Sequence, residues 1–336
     1  MKAVAYTQAG ALDRADALID IELDKPTPGP QDLLVKVASI SVNPVDAKIR
    51  SKRPATVDEP QVIGWDAVGE VVAVGAKVQD FAVGDRVFYA GALDRPGSNA
   101  EYQLVDARIV GHAPESLSDP EAAALPLTAI TAWELLFDRL CVAEGGGAGQ
   151  TLLVIGAAGG VGSILVQLAR QLTELTVVGT AAREESAEWA KELGAHHVID
   201  HSKPMLAQLQ ALGIESVELI ASLTHTKDHY AQYIDCIAPQ GKLGVIDDFD
   251  SIDITQLKSK SASFHWEFMF ARSLYQTADM AEQGVLLNRV AELLDASALR
   301  TTLGEHYGVI NAANLMRAHA LLESGKARGK LVLEGF

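Results

Sequence analysis

The chain has 336 residues and a formal net charge of −16 at pH 7; 48% of its residues are hydrophobic and 21% are charged. This length is enough for two domains of ordinary size, and the composition is typical of a globular chain rather than a disordered one. The negative charge argues against nucleic acid as a partner, because phosphate binding requires a basic surface. Cys141 and Cys236 are the only cysteines, so we expect neither a disulfide framework nor a cysteine-rich metal site.

Residues 1–10 lack the apolar core of a signal peptide, and no apolar run approaches the roughly 20 residues that a membrane span needs. We therefore expect a cytoplasmic protein without a membrane partner. Residues 1 to about 126 favour a β-rich domain, because short alternating apolar runs are separated by glycine and proline. The predicted strands, which would suit a small antiparallel barrel, are 3–7, 32–41, 67–74, 85–89 and 100–105.

A predicted helix over 120–137 and a glycine-rich loop lead into the stretch 151–167, TLLVIGAAGGVGSILVQ. Its β-branched apolar start predicts a buried parallel strand, followed by a glycine turn and a helix. Glycines suit such a turn when a dinucleotide pyrophosphate must approach backbone N–H groups at a helix N-terminus. The window 157–162 matches the pattern G-x-G-x-x-G with alanine in the first position. Taken alone, the turn is also compatible with a purely structural role.

Apolar runs and helical patterns then alternate, as expected for a Rossmann-type doubly wound parallel sheet. The predicted strands are 175–180, 197–200, 217–222, 242–247 and 261–269, and the predicted helices are 184–193, 204–212 and 227–238. The remaining predicted elements are helix 278–294, strand 301–308, helix 312–324 and strand 330–334, which should return to the β-rich domain. We predict one domain from residues 1–126 and 271–336 and a dinucleotide-binding domain from residues 127–270.

Nine segments carry a resemblance to a known family. They are SVNPVDAKIR, VIGWDAVGEVVAVG, FAVGDRVFY, GSNAEY, EAAALPLTAITAWELL, VIGAAGGVG, ELGAHHVIDHS, APQGKLGVID and RAHALLESGKARGKLVL. In this order they resemble medium-chain dehydrogenases/reductases, most closely the quinone oxidoreductase branch and its zinc-type alcohol dehydrogenase-like members. The resemblance covers the whole chain. It implies an α/β fold in which a Rossmann sheet is joined to a GroES-like β-barrel catalytic domain.

Zinc-binding members of that superfamily use cysteine and histidine ligands that this chain lacks. Asn43 stands in place of the first catalytic cysteine, and Trp65 in place of the histidine of the G-H-E motif. Neither side chain is a suitable zinc ligand. Two histidine groups, His196 with His197 and His201, and His225 with His229, have spacings that do not favour a metal site. We therefore expect no metal.

The resemblance also bears on the cofactor. An NAD-preferring site carries an acid at the end of the second Rossmann strand, where this chain has Ala181, followed by Arg183. Arg183 suits a 2′-phosphate, so NADPH is expected, although an ordinary surface arginine paired with Glu184 or Glu185 would look the same. The expected cofactor-binding residues are Gly156, Ala158, Gly159, Gly160, Val161, Gly162, Thr180, Arg183, His201, Ser222 and Lys330.

A catalytic cleft is expected between the two domains, where the resemblance places Asn43, Lys48 and Thr128. Asn43 would donate a hydrogen bond to the oxygen of the acceptor, and Lys48 would stabilise an enolate or supply its proton. Trp65 and Phe249 would form apolar walls of the substrate pocket. The alternatives are an Asx turn for Asn43, a surface lysine for Lys48 and a backbone-bonded helix residue for Thr128.

The predicted function is a zinc-independent, NADPH-dependent enzyme that transfers hydride to quinones or α,β-unsaturated carbonyl compounds. An enoyl thioester reductase and a non-catalytic NADPH-binding sensor or structural protein are the alternatives. The acidic surface weighs mildly against coenzyme A substrates. The resemblance also predicts a homodimer that pairs the strands at 261–269, because that edge would otherwise expose unpaired backbone groups.

Overall fold

The computed structural model describes residues 1–336 and divides them into two compact units. The first, here the β-rich unit, comprises Met1–Ile130 and Phe270–Phe336. The second, here the Rossmann unit, comprises Thr131–Met269. The first boundary lies inside a helix, later than the predicted position after residue 126, because the helix passes from one unit to the other without a linker.

Consecutive strands dominate the first part of the chain, and strands alternate with helices from β9 to β13. The strands are β1 (Lys2–Tyr6), β2 (Ile19–Glu22), β3 (Asp32–Val42), β4 (Gln61–Val62), β5 (Ala67–Val74), β6 (Arg86–Tyr89), β7 (Tyr102–Asp106), β8 (Val110–His112), β9 (Thr151–Ile155), β10 (Thr176–Thr180), β11 (His197–Ile199), β12 (Val217–Ser222), β13 (Ile237–Val245), β14 (Ser263–Trp266), β15 (Leu303–His306) and β16 (Lys330–Glu334). The α-helices are α1 (Pro44–Lys52), α2 (Asp119–Ala123), α3 (Pro126–Trp133), α4 (Gly160–Leu172), α5 (Glu184–Glu192), α6 (Met205–Ala211), α7 (Thr226–Cys236), α8 (Ala271–Leu274), α9 (Glu282–Asp295) and α10 (Ala312–Glu323).

The β-rich unit is built on a seven-stranded sheet with the order β15-β16-β3-β5-β6-β8, in which β7 also pairs with β3. All pairings are antiparallel except that of β15 with β16. Strand β3 is the longest strand at 11 residues, and its register against β5 shifts twice. A three-stranded sheet, β2-β1-β4, completes the unit. Helices α1 and α8 and strands β2, β4 and β8 were not predicted; the three strands have only two to four residues, too few to show a periodicity.

The Rossmann unit contains the predicted doubly wound sheet, which is confirmed. Its six strands are parallel and follow the order β11-β10-β9-β12-β13-β14. Every residue of β9 is buried, as expected for a central strand covered by helices on both faces. Strand β14 lies at one edge of this sheet.

The helix predicted over 120–137 is divided into three parts. Helix α2 ends before Pro126, which occupies the first position of α3, where its missing N–H is tolerated. A π-helical segment, Glu134–Arg139, follows directly. None of the helices combines the length and apolar character required to cross a bilayer.

Candidate functional site

The turn between β9 and α4 is shaped to receive an anion. Gly156 has φ +80°, a conformation that disfavours any other residue, and Gly159 precedes the first turn of α4. No acidic residue lies in that first turn. Because the first amides of a helix have no partner within the helix, they face outward with the positive end of the helix dipole. Gly156, Gly159, Gly160 and Val161 are half-buried, so this surface is open to a ligand.

Gly162 is required by the close packing of this turn. A Cβ atom there would lie 2.3 Å from the carbonyl oxygen of Gly156 and 2.7 Å from the Cα atom of Ala157. Any side chain would therefore push the helix away from the strand. Ala158 is 8% exposed and packs inside the turn. The turn fits the pyrophosphate of a dinucleotide. The backbone N–H groups at the N-terminus of α4 would hold it.

Thr180 and Ser222, both expected among the cofactor-binding residues, use their hydroxyl groups in hydrogen bonds within the protein. The hydroxyl of Thr180 accepts a hydrogen bond from the Gly156 N–H at 3.2 Å. The Ser222 hydroxyl is fully buried and lies 2.7 Å from the Thr226 hydroxyl and 2.8 Å from that of Tyr233. Both residues end sheet strands beside the turn; the Thr180 hydroxyl is bonded to the turn itself, and the Ser222 hydroxyl to helix α7.

The end of β10 lacks an acidic side chain at the position that would face a ribose. Ala181 is 8% exposed and donates its N–H to the Ile199 carbonyl at 2.9 Å. Arg183 is exposed and immediately precedes α5. A guanidinium at this position suits a phosphate better than a bare hydroxyl group.

His201, a further candidate, follows β11 and is brought close to a residue that is distant in sequence. Its ring lies 5.5 Å from that of His229 at an angle of 65°. The pKa of His201 is lowered by burial, an effect that Asp200 partly opposes. His196 and His197 do not join this cluster. His197 is the first residue of β11, and the ring of His196, just before it, accepts a hydrogen bond from the Val177 N–H.

The β-rich unit contains a buried charged cluster around Asp66. Its Oδ2 accepts hydrogen bonds from the Ser41 hydroxyl at 2.6 Å, the Asn43 amide at 2.7 Å and the Lys330 ammonium at 3.0 Å. Its Oδ1 accepts from the Leu127 N–H at 2.7 Å. Asp66 is fully buried, and Lys330 is 3% exposed. A buried carboxylate with this many donors remains stable only because a cation compensates it.

Lys330 is expected from the sequence to bind the cofactor, but its ammonium is bonded inside the protein, which corrects that prediction. Its ammonium donates to Asp66, to the Val42 carbonyl at 2.9 Å and to the Asn43 amide oxygen. An ammonium has three N–H donors, and these three acceptors use all of them. Strand β16 pairs with β3, and this pairing sets Leu331 opposite Val42 and brings Lys330 beside Asn43.

The position predicted for Asn43 is also corrected. Its amide nitrogen donates to Asp66, its amide oxygen accepts from Lys330, and no part of the residue is exposed. Asn43 directly precedes α1, and its backbone N–H donates to the Asp46 carboxyl group at 2.8 Å. Burial raises the pKa of Asp46 to about 7. The side chain is thus turned into the charged cluster, where Asp66 and Lys330 use its amide nitrogen and oxygen.

Two other predicted residues lie next to this cluster along the chain: Trp65 precedes Asp66, and Thr128 follows Leu127, whose N–H donates to Asp66. The Thr128 hydroxyl donates to the Leu125 carbonyl at 3.0 Å, as a backbone-bonded helix residue would. Trp65 is 1% exposed, donates to the Ala92 carbonyl at 3.2 Å and packs edge-on against Phe270. It is a core residue rather than a pocket wall. Lys48, in contrast, is exposed on α1.

Phe249, the second predicted pocket wall, belongs to an aromatic group at the edge of the Rossmann sheet. Its ring stacks on that of Trp266 at 5.1 Å, and Phe264 contacts the same indole edge-on at 5.0 Å. Phe249 also packs against the apolar core of the sheet. The stacking explains its position without a substrate.

Zinc does not fit the residues of the β-rich unit. The positions of the expected ligands hold Asn43 and the buried indole of Trp65, and the positive charge beside Asp66 is an ammonium. No group of three or more histidine, cysteine, aspartate or glutamate side chains is arranged to hold a metal ion. The donors that zinc prefers, thiolate and imidazole, are missing from the cluster.

Sequence reasoning missed Asp66 and Ser41 as members of this cluster. The available indication was the acid in the buried segment Gly64-Trp65-Asp66, since a buried carboxylate requires a cation. Sequence alone did not identify which cation, because Lys330 lies 264 residues away.

The comparisons with known proteins agree with this architecture. Residues 29–115 match the family model of the alcohol dehydrogenase GroES-like domain, and residues 193–333 match that of zinc-binding dehydrogenases. A zinc-type alcohol dehydrogenase-like protein of Staphylococcus aureus is 40% identical over 99% of both chains. The crystal structure of a proposed zinc-dependent alcohol dehydrogenase of Rhizobium etli is 54% identical, with a TM-score of 0.97 over 100% of this chain and 98% of that one.

The quinone oxidoreductase of Pseudomonas syringae is 25% identical, with a TM-score of 0.85 over 99% of both chains. These findings confirm the resemblance deduced from the sequence motifs and the expected pair of Rossmann and GroES-like domains. The glycine turn agrees with the nicotinamide dinucleotide that such proteins bind. The chain therefore belongs to the medium-chain dehydrogenase/reductase superfamily of NAD(P)H-dependent oxidoreductases.

Proposed function

We propose that this protein is a zinc-independent, NADPH-dependent reductase of quinones or α,β-unsaturated carbonyl compounds. The observation that carries the proposal is the Lys330 ammonium bonded to Asp66, since a cluster already neutralised by a lysine has no need of a metal cation. The similarity to a quinone oxidoreductase supports the class of acceptor.

The chemistry that the cofactor supplies when bound is a hydride from its nicotinamide. The N–H groups of the β9–α4 turn would hold the pyrophosphate, and Arg183 would hold the 2′-phosphate. Lys48 is an exposed cation of α1 and would donate to the oxygen on which negative charge develops. A conjugated acceptor suits a site without a metal, because its charge is spread over several atoms.

The acceptor is tested by following NADPH absorbance with a panel of quinones, enones, simple ketones and enoyl-coenzyme A thioesters. The need for a metal is tested on the same protein by elemental analysis and by adding a chelator. We expect turnover with quinones or enones, no stoichiometric zinc by elemental analysis and no loss of activity in a strong chelator. About one zinc per chain with chelator-sensitive activity would contradict the proposal. Activity confined to thioesters would identify an enoyl thioester reductase, and no turnover with any acceptor would favour a sensor.

The NADPH preference is tested with Arg183→Ala. A charged hydrogen bond contributes about 1.5–3 kcal/mol, which corresponds to roughly ten- to a hundredfold in affinity. We expect NADPH binding to weaken by that factor while NADH binding stays nearly unchanged. Arg289→Ala, a change at an exposed arginine of the β-rich unit, is the control. Equal losses for both cofactors would show that Arg183 supports the fold instead.

The role of Lys48 is tested by comparing Lys48→Gln with Lys52→Gln. Both lysines are exposed on α1 and lie one turn apart, so the second variant controls for the loss of one positive charge from the same helix. We expect Lys48→Gln to lower kcat and kcat/KM together by about tenfold to a thousandfold, on the scale of oxyanion donors. Equal activities of the two variants would leave solvent as the proton source.

A cytoplasmic location stays a prediction from the sequence.

A further inference from the structure

Strand β12 and helix α7 are joined by residues 223–225 alone, and this short segment, here the β12–α7 turn, borders the turn between β9 and α4. Ser222, the last residue of β12, pairs with Ile155, the last residue of β9, so the two turns leave the sheet side by side. A Cβ atom added to Gly156 would lie 3.0 Å from the methyl group of Thr224. The β12–α7 turn therefore forms a wall directly beside the glycine turn.

The last residue of the β12–α7 turn has a backbone conformation that is unfavourable for its type. His225 has φ +53° and ψ +35°, in the left-handed region, where a Cβ atom crowds the backbone. Its imidazole is exposed, lies 2.7 Å from the Thr224 hydroxyl through Nδ1 and makes no capping bond to α7. Neither packing nor capping by its own side chain thus holds His225 in this conformation. Another group must supply that restraint.

That group is Asp247, which lies two residues after the end of β13. Its Oδ2 accepts a hydrogen bond from the Thr226 N–H at 3.0 Å, and its Oδ1 accepts from the Thr226 hydroxyl. Thr226 directly follows His225 and begins α7, so these two bonds, here the clasp, fix the peptide that joins them. The Ile246 N–H donates to the Ser222 carbonyl at 3.3 Å and keeps the ends of β13 and β12 together. The carboxylate thus replaces the side-chain cap that His225 does not provide.

Two further hydroxyl groups connect the clasp to the protein core. The Thr226 hydroxyl lies 2.7 Å from that of Ser222, which lies 2.8 Å from that of Tyr233. Thr226 gives its single hydroxyl hydrogen to Asp247, so Ser222 must be the donor to Thr226. By the same count, Tyr233 donates to Ser222. All three hydroxyl-bearing residues are fully buried, so the half-buried Asp247 is anchored through them to the interior of the Rossmann unit.

We propose that Asp247 is a positioning residue, which through Thr226 keeps His225 in the left-handed conformation. It thereby holds the β12–α7 turn at the distance from Gly156 that a bound dinucleotide requires. Without the clasp, His225 would relax towards negative φ and move Thr224 relative to the glycine turn. Only the fraction of molecules that keep the clasped arrangement would then bind with full affinity. This inference rests on the dinucleotide binding of the proposed function, but neither on the class of acceptor nor on the preference for NADPH.

The sign of the effect distinguishes positioning from charge. A dinucleotide carries negative phosphates, so removal of a nearby carboxylate would by Coulomb interaction alone strengthen its binding. Loss of the clasp should instead weaken it. The cost of the left-handed conformation for a residue other than glycine corresponds to a weakening of about five- to thirtyfold.

The test is fluorescence titration with NADPH and with NADH, accompanied by circular dichroism to verify folding. For Asp247→Ala we expect both dissociation constants to rise about five- to thirtyfold. Asp250→Ala removes the same charge from the same loop, at a side chain that is 96% exposed, and should bind no more weakly than the unmodified protein. In Asp247→Ala the KM for NADPH should rise while kcat at saturating NADPH changes by less than about twofold, because the clasp does not touch the reacting atoms.

Two further comparisons test the mechanism within the clasp. Thr226→Val removes the hydroxyl donor and Thr226→Ser keeps it, so only the first should weaken binding. These two variants also decide the question if Asp247→Ala does not fold. In the His225→Gly background the left-handed conformation costs little, and adding Asp247→Ala should weaken binding by less than about threefold.

The possible failures can be told apart. Unchanged or tighter NADPH binding in Asp247→Ala, even with a loss of thermal stability, would overturn the inference and leave Asp247 a role in the fold alone. Equal binding by Thr226→Ser and Thr226→Val would overturn it too, as would an undiminished loss in the His225→Gly background. If the unmodified protein bound neither NADPH nor NADH, the proposed function would fail and this inference with it. NADPH binding without turnover of any acceptor would reject only the proposed activity.

Discussion

The ammonium of Lys330 and the carboxylate of Asp66 have both lost nearly all contact with water, and a charge in that position is tolerated only with its partner. The cluster also uses Asn43 and Ser41 as neutral donors to the same carboxylate oxygen. Removing the lysine would leave Asp66 charged and unpaired in the protein interior. The pair is therefore expected to control both the stability of the β-rich unit and the orientation of Asn43.

We predict that Lys330→Met lowers the free energy of unfolding by about 3–5 kcal/mol, the usual cost of breaking a buried ion pair from one side. Urea unfolding followed by circular dichroism measures this change. Lys77→Met, at an exposed lysine of the same unit, should change the free energy by less than about 0.5 kcal/mol. Adding Asp66→Asn to Lys330→Met should recover part of the loss, because the unpaired charge disappears. Strict additivity of the two changes would show that the residues are not coupled.

At the scale of elements, the contact between β9 and α4 depends on a glycine. We predict that Gly162→Ala weakens dinucleotide binding and also destabilises the Rossmann unit, because the added Cβ would meet the Gly156 carbonyl oxygen at 2.3 Å. Fluorescence titration with NADPH and thermal unfolding measure the two effects. Glu188→Ala, at an exposed position of helix α5 in the same unit, is the control. Equal behaviour of the two variants would mean that steric contact in the turn is unimportant.

The π-helical segment Glu134–Arg139 and the end of β14 share a buried acidic pair. Glu267 is 3% exposed and accepts a hydrogen bond from Arg139 at 2.9 Å, and Glu134 is equally buried. Burial, followed by the nearby charge of Glu134, raises the pKa of Glu267 to about 8. A carboxyl group whose pKa is higher in the folded state binds its proton more tightly there. Its contribution to stability is therefore complete below its unfolded value near 4.5 and is lost as the pH rises through about 8.

We predict that Glu267→Gln becomes increasingly more stable than the unmodified protein as the pH rises from 5 to 9. The amide cannot ionise and still accepts from Arg139. The difference should grow by at most about 1.4 kcal/mol per pH unit, the value for one linked proton. Urea midpoints measured across this range check the slope, with Glu188→Gln as an exposed control in the same unit. A difference that is constant with pH would mean that Glu267 is ionised throughout.

At the scale of the whole molecule, β14 leaves one edge of the six-stranded sheet without a neighbour. Trp266 and the nearby Phe268 are 53% and 50% exposed. An edge with unpaired backbone groups and large apolar side chains favours pairing with another chain. The predicted homodimer, in which two β14 strands pair, would cover this edge.

We predict a dimer at micromolar concentration in light scattering and a shift to monomer in Trp266→Glu, because a carboxylate would be buried in the interface. Ile254→Glu, at a residue of the same unit that is 54% exposed and lies outside β14, should remain dimeric. A monomer in the unmodified protein would reject the dimer. A dimer that persists in Trp266→Glu would move the interface away from this edge.

The sequence by itself determined the two-unit architecture and the nucleotide-binding turn. Both depend on local patterns: buried parallel strands are continuous apolar runs, and a close approach between helix and strand requires glycine at Gly156 and Gly162. The absence of an acid at Ala181 is likewise a local property of the chain. Patterns of this kind are visible in the sequence because neighbouring residues produce them.

Only the tertiary structure decided which polar groups are bound to one another. The pairing of β16 with β3 brings Lys330 to Asn43, 287 residues away, and so removes both from the roles predicted for them. The packing of α7 against α6 brings His229 to His201, away from the nearer histidines in the sequence. In each case a buried or half-buried polar group finds its partner across elements, and the energy of that contact depends on burial and distance, which no linear spacing specifies.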